Sequence, residues 1–175
     1  MAATGALAAV WMGTDPAAFA AALRDARDAA RGGLVQFQAL TPEQAEDLDA
    51  IAAQIIPTDD LPGAREARAV VFIDRALATF GSGQKSAMLE GLANLNRRAG
   101  GRFSAVSENR QRELLLEIED TPFFRQVRSA VLTGTFAHPS WGGNADGAGW
   151  RILGFEPRYL WRPPFGAYDA EEMGR

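Results

Sequence analysis

The side chains best suited to chemistry lie between positions 138 and 156. His138 is the single histidine, and the sequence has no cysteine. A three-ligand zinc site would therefore need His138 together with two carboxylates, such as those of Asp146 and Glu156. The competing interpretation is that His138, placed before Pro139, forms a local hydrogen bond in a turn or lies at an interface. A stand-alone metal-dependent enzyme that uses His138 thus remains one alternative.

A glycine-rich run spans residues 141–150. Glycine-rich loops can bring backbone N–H groups to a phosphate, but neither nucleotide fingerprint occurs here and no strand precedes the run. The glycines permit positive φ angles and close backbone approach, and Asn144 can hydrogen-bond its own turn and adopt the left-handed region. The four glycines are Gly142, Gly143, Gly147 and Gly149. We expect a tightly folded structural loop.

The residues from 135 to 175 form an irregular tail that is rich in glycine, proline and aromatic side chains. Each aromatic side chain can bury about 150–250 Å², so the tail must pack on its own bundle, on a partner, or on both. Trp141 and Trp150 are the largest expected anchors. The residues expected to form a structural loop and partner interface are His138, Pro139, Trp141, Gly142, Gly143, Asn144, Gly149, Trp150, Phe155, Tyr159 and Trp161.

The elements that must position this tail are helices. Apolar side chains recur at spacings of three and four residues, while no alternating strand pattern occurs between positions 14 and 134. The sequence predicts an all-α, irregular bundle of about six helices, followed by an extended C-terminal segment without helix after Gly134. The predicted helices are Asp15–Arg31, one that starts at Thr41-Pro42 and ends before Pro57, Ala64–Phe80, Gln84–Arg98, one capped by Ser107, and one that starts at Thr121-Pro122.

The charge of the chain argues against a nucleic-acid partner. The net charge is −4, whereas proteins that bind nucleic acid owe much of their affinity to clustered lysine and arginine side chains. No stretch approaches the roughly 20 apolar residues that span a bilayer, so the chain is not itself expected to cross a membrane. Residues 1–13 resemble the apolar part of an export signal without its charged start. We expect a truncated start, and the alternative is a short apolar turn that packs on the domain.

The tail and several short upstream segments resemble the gluconate 2-dehydrogenase subunit 3 family. In the tail the matching residues are Pro139, Trp141-Gly142-Gly143-Asn144, Gly149-Trp150 and Leu153-Gly154-Phe155. The matching upstream segments are Leu40-Thr41-Pro42-Glu43, Ile55-Ile56-Pro57, Gly63-Ala64 and Thr121-Pro122-Phe123-Phe124. The resemblance covers about residues 38–157.

This resemblance implies a non-catalytic small subunit. Its partner would be a large flavoprotein of the glucose-methanol-choline (GMC) oxidoreductase type that oxidises a sugar or polyol, often with a cytochrome c subunit. FAD and the substrate site would belong to the large subunit, and this chain would hold no cofactor. Family members often carry a twin-arginine signal and help their folded partner leave the cytoplasm. The resemblance therefore implies a periplasmic or exported complex. The present sequence lacks the twin arginine, so a cytoplasmic location is the alternative if the start is authentic. A helical interaction module with an unrelated partner is the remaining alternative.

Overall fold

The structure, a computed structural model, describes residues 36–157, and this part of the chain is helical without a β-strand. The all-α prediction is confirmed. The α-helices are α1 (Pro42–Ile55), α2 (Ala69–Ala78), α3 (Lys85–Ala99), α4 (Glu108–Glu117), α5 (Pro122–Phe136) and α6 (Ala148–Ile152). Among the described residues no helix is both long and apolar enough to cross a bilayer. The predicted helix at 15–31 and the apolar stretch at 1–13 lie outside the described residues.

Short polar caps set the helix starts, as the sequence predicts. Thr41 and Gln44 form a reciprocal capping box at α1, with Pro42 at the first helical position. Ser107 and Thr121 cap α4 and α5, and each accepts a hydrogen bond from the backbone N–H three residues later. Each cap contributes about 1 kcal/mol.

The helix predicted to start at Ala64 instead begins at Ala69. Arg68 adopts a left-handed conformation (φ 52°), so a continuous helix cannot run through it. The break lies where the chain contacts the glycine-rich loop, because the carbonyl oxygen of Ala67 accepts a 3.1 Å hydrogen bond from the N–H of Ala145. A tertiary contact therefore overrides the local helical pattern.

Helix α2 occupies the centre of the bundle, and every residue from Ala69 to Leu77 is buried. It packs most extensively against α5, where Gly134 allows close approach: a Cβ at that position would lie 2.9 Å from the carbonyl oxygen of Ala69. The apolar faces predicted for the other helices also point inward. Their buried members are Leu48, Ile51, Ala52, Met88, Leu92, Leu95, Leu114, Leu115, Ile118, Val127 and Val131.

A buried carboxylate ties the start of the described chain to α2. The side chain of Asp74 is fully buried and accepts hydrogen bonds from the backbone N–H groups of Gln38, Ala39 and Leu40 at 2.8–3.0 Å. It also forms a 2.7 Å ion pair with Arg75, whose side chain is only 6% exposed. The charge is therefore neutralised and hydrogen-bonded, as burial of a carboxylate requires.

The segment beyond Gly134 is more ordered than the sequence predicts. We expected no helix there, and this is wrong: α5 continues to Phe136 and α6 follows at Ala148–Ile152. Two 3₁₀ turns, Pro139–Trp141 and Ala145–Gly147, connect them. Backbone hydrogen bonds to α5 and to the start of α2 hold these short elements, and such contacts leave no helical period in the sequence.

Candidate functional site

The glycine-rich loop, residues 142–150, turns sharply at four positions. Gly142 and Gly147 have positive φ angles of 95° and 69°, while Asn144 and Asp146 adopt left-handed conformations with φ 46° and 52°. Asparagine and aspartate are the non-glycine residues that tolerate this region best. The residue types in the loop therefore match the backbone that it requires.

Asn144 is the central hydrogen-bonding residue of the loop. It is fully buried, its Nδ2 donates to the carbonyl oxygen of Ala137 at 2.8 Å, and its Oδ1 accepts from the N–H of Gly149 at 2.8 Å. Its own N–H donates to the carbonyl oxygen of Gly134 at 2.7 Å. One side chain thus joins the end of α5 to the start of α6.

Gly143 and Gly149 allow the loop backbone to lie close to the backbone of α5. A Cβ on Gly143 would overlap the carbonyl oxygen of Gly134, and one on Gly149 would overlap that of Thr135. Of the two properties expected of the loop glycines, Gly143 and Gly149 therefore provide close backbone approach, whereas Gly142 and Gly147 provide positive φ.

The N–H groups of the loop bind the protein's own acceptors. The N–H of Ala145 donates to Ala67, that of Gly147 donates to the carbonyl oxygen of Asn144, and those of Asn144 and Gly149 are engaged as described above. A phosphate-binding loop would instead direct such groups at a ligand. These four N–H groups are therefore engaged in holding the loop itself.

The two tryptophans of the loop region have different surroundings. The ring of Trp141 stacks on the core residue Phe72, with centroids 6.5 Å apart and planes 19° apart. The indole N–H of Trp150 donates to the carbonyl oxygen of Phe136 at 3.2 Å, and its ring contacts Phe155 edge-on at 5.4 Å. Trp141 therefore anchors the loop to the core, while Trp150 lies at the surface.

A partly exposed apolar surface surrounds Trp150. His138 contacts the Trp150 ring edge-on at 5.6 Å, and Phe155 is 49% exposed. Leu153, in the same turn of chain, is 62% exposed. We call His138, Trp150, Leu153 and Phe155 the tail patch. The segment directly after α6 thus presents an aromatic and an aliphatic side chain to the exterior.

Most of the predicted site residues come together in one region. The structure joins His138, Pro139, Trp141, Gly142, Gly143, Asn144, Gly149, Trp150 and Phe155 around the end of α5. Tyr159 and Trp161 lie outside the described residues. Sequence reasoning missed the acceptors on the bundle, the carbonyl oxygens of Ala67, Gly134 and Ala137, because small residues in a helical pattern indicate only packing.

The residues considered for a metal site do not form one. Within residues 36–157 no group of three histidine, aspartate or glutamate side chains could hold a metal ion. Nδ1 of His138 lies 2.8 Å from the hydroxyl of Ser140 and accepts a 3.2 Å hydrogen bond from its backbone N–H. The local hydrogen bond of a turn is thus the arrangement that His138 adopts.

Comparison with known proteins identifies the family of this chain. The model of the family described as gluconate 2-dehydrogenase subunit 3 matches residues 42–157, which is two thirds of the 175 residues. No curated protein and no solved structure matches significantly. The match includes the loop around Asn144 and the tail patch. The chain therefore belongs to the gluconate 2-dehydrogenase subunit 3 family.

Proposed function

We propose that this chain is a non-catalytic small subunit that stabilises, and escorts during export, an FAD-dependent sugar or polyol dehydrogenase of the GMC type. Family membership supports a subunit of a gluconate 2-dehydrogenase-like complex. In this proposal FAD and the substrate site belong to the large subunit, and a cytochrome c subunit is a further partner. The complex would act in the periplasm.

The tail patch is the observation that carries the proposal. Phe155 is about half exposed and its ring contacts the half-buried Trp150, while Leu153, two residues earlier, is nearly two thirds exposed. Tryptophan is one of the residues at which interfaces concentrate binding energy. A stable complex buries about 1,600 Å² in total, so the patch would form the centre of a larger contact. We assign Tyr159 and Trp161, which follow in the sequence, to the same contact.

The first test is co-purification of the tagged chain from its native host, followed by mass spectrometry and an absorbance scan. We expect a yellow complex that contains a large flavoprotein. A colourless chain without such a partner would contradict the proposal. Expression of the identified flavoprotein without this chain should give insoluble, mislocalised or FAD-poor material, and fully active enzyme in its normal place would argue against a stabilising role.

The second test assigns the interface. The double variant Leu153→Ser/Phe155→Ser should lower the recovery of the flavoprotein by about tenfold or more, because it removes the exposed apolar contacts. Leu61→Ser is the matched control, since Leu61 is 46% exposed and lies in the loop between α1 and α2. Equal recovery with the double variant and the control would exclude the tail patch as the binding surface.

A further inference from the structure

A concave surface separate from the tail patch lies between α1, α4 and the N-terminal half of α5. Its apolar lining includes Ile55, Leu116 and Phe124, and its volume is about 230 Å³. Small-molecule pockets usually measure about 300–1,000 Å³, so this groove suits one inserted side chain better than a cofactor. We call it the α4–α5 groove.

The apolar lining of the groove is contiguous with the core. Ile55 and Phe124 are half-buried and pack against the core cluster, while Leu116 is 60% exposed beside them. A single exposed leucine needs no explanation. An exposed leucine that continues a concave apolar surface can bury a further apolar side chain.

The polar rim of the groove carries an excess of positive charge. Arg112 on α4 and Arg128 on α5 line the groove with one carboxylate, Glu119. Within residues 36–157 neither guanidinium group makes a hydrogen bond or an ion pair, whereas that of Arg110, two residues before Arg112 on α4, is paired with Glu113 and Glu117. Two guanidinium groups that have no acceptor among the described residues thus flank an apolar cavity, in a chain whose net charge is −4.

We propose that the α4–α5 groove binds a segment of another protein that carries a large apolar side chain flanked by carboxylates. The apolar side chain would enter the groove beside Leu116, and the carboxylates would accept hydrogen bonds from Arg112 and Arg128, which favour paired, charged acceptors. A groove of about 230 Å³ between two arginines accommodates one inserted side chain, whereas the surface of an anionic bilayer is broad and flat. The geometry therefore favours a polypeptide ligand.

This site is distinct from the tail patch. Phe124 and Phe136 are twelve residues apart on α5, so the two surfaces are separated by about 18 Å along the helix axis. Both can be occupied at once. The inference does not depend on the function proposed above, because it rests on a different surface and on different side chains.

The test uses random short peptides displayed on phage and selected on the immobilised full chain. We expect the enriched peptides to share a large apolar residue next to aspartate or glutamate. Their affinity should fall by about tenfold or more in Leu116→Ser and in Arg112→Glu/Arg128→Glu. All three side chains are exposed, and thermal unfolding of each variant checks that the fold is retained.

Matched controls decide the assignment. Leu61→Ser and Arg97→Glu change an exposed leucine and an exposed arginine outside the groove, and Leu153→Ser/Phe155→Ser changes the tail patch; all three should bind the peptides as the native chain does. Failure to enrich acidic peptides with an apolar residue, or equal binding by the groove variants, would overturn the inference. Sedimentation with phosphatidylglycerol vesicles that is lost in Arg112→Glu/Arg128→Glu would also overturn it and assign the groove to lipid.

Discussion

The N–H of Asn144 and the carbonyl oxygen of Gly134 form a 2.7 Å hydrogen bond across the contact between the loop and α5. The bond is possible only because Gly143, the residue before Asn144, has no side chain that would displace the loop from the helix. The contact therefore depends both on the hydrogen bond of Asn144 and on the absence of a side chain at Gly143. The first two predictions test these two requirements separately.

Gly143→Ala should strongly destabilise the fold. Its Cβ would overlap the backbone carbonyl of Gly134, which cannot rotate away as a side chain would. We expect a loss of about 2–4 kcal/mol in the free energy of unfolding, measured by urea denaturation. The control is Gly83→Ala, since a Cβ there meets no atom within 4 Å and Gly83 has no positive φ. Similar stabilities of the two variants would show that the loop shifts without cost.

Asn144→Ala should cost about 2–4 kcal/mol, because it leaves the carbonyl of Ala137 and the N–H of Gly149 without their partner and places alanine in the left-handed region. Asn144→Gly loses the same hydrogen bonds but tolerates the backbone conformation, so it should cost about 1–2 kcal/mol less. Thermal unfolding compares both with Asn94→Ala, an exposed site on α3. Equal costs for alanine and glycine would mean that the conformation of Asn144 contributes nothing.

Asp74→Asn should be among the most destabilising single changes. In the native chain the carboxylate of Asp74 accepts hydrogen bonds from several backbone N–H groups, and the NH₂ group of an asparagine cannot replace an accepting oxygen there. The variant also leaves the guanidinium of Arg75 buried without its counter-charge. Removing one partner of a buried pair costs about 3–5 kcal/mol. Asp60→Asn, at an exposed loop position, is the control. Limited proteolysis near residues 38–40 should increase in the variant, and an unchanged pattern would argue against the anchoring role.

Glu66 should make stability depend on pH. Its pKa lies below the ordinary value because the carboxylate accepts hydrogen bonds from the hydroxyl of Thr58 (2.7 Å) and the N–H of Gly63 (2.8 Å). A carboxyl group with a lowered folded-state pKa stabilises the fold above its unfolded-state pKa and loses that contribution as the pH falls through the folded-state value. The difference in unfolding free energy between the native chain and Glu66→Gln should therefore be largest near neutral pH and shrink in acid.

A second variant separates this effect from that of a neighbouring carboxylate. Burial raises the pKa of Asp49 beside Arg65, so Asp49 contributes with the opposite sign, and Asp49→Asn should remove that contribution. A constant difference between Glu66→Gln and the native chain across the acid range would refute the assignment.

Local signals predicted the helices well. Thr41, Ser107 and Thr121 cap the expected starts, because a cap depends only on residues a few positions away. The break at Arg68 was not predictable, since the start of α2 depends on a hydrogen bond between Ala67 and the distant Ala145. Contacts between residues far apart in sequence leave no periodic pattern.

The candidate site was predictable in its residue types but not in their roles. The spacing of glycines around Asn144 indicated a tight loop, which the structure contains. That Gly143 and Gly149 supply space, and that Gly142 supplies a left-handed turn, depends on where α5 runs. Asp74 gave a usable signal that was missed: a carboxylate inside an otherwise apolar helix indicates a buried partner.

The hydrogen bond from the indole N–H of Trp150 to the carbonyl oxygen of Phe136 makes the position of the Trp150 ring depend on the end of α5. The loop before Trp150 is held in turn by the carbonyl oxygens of Ala67, which precedes α2, and Gly134 on α5. The tail patch therefore exists as a surface only when the bundle is folded. A protein that binds this surface would distinguish folded from unfolded copies of the chain.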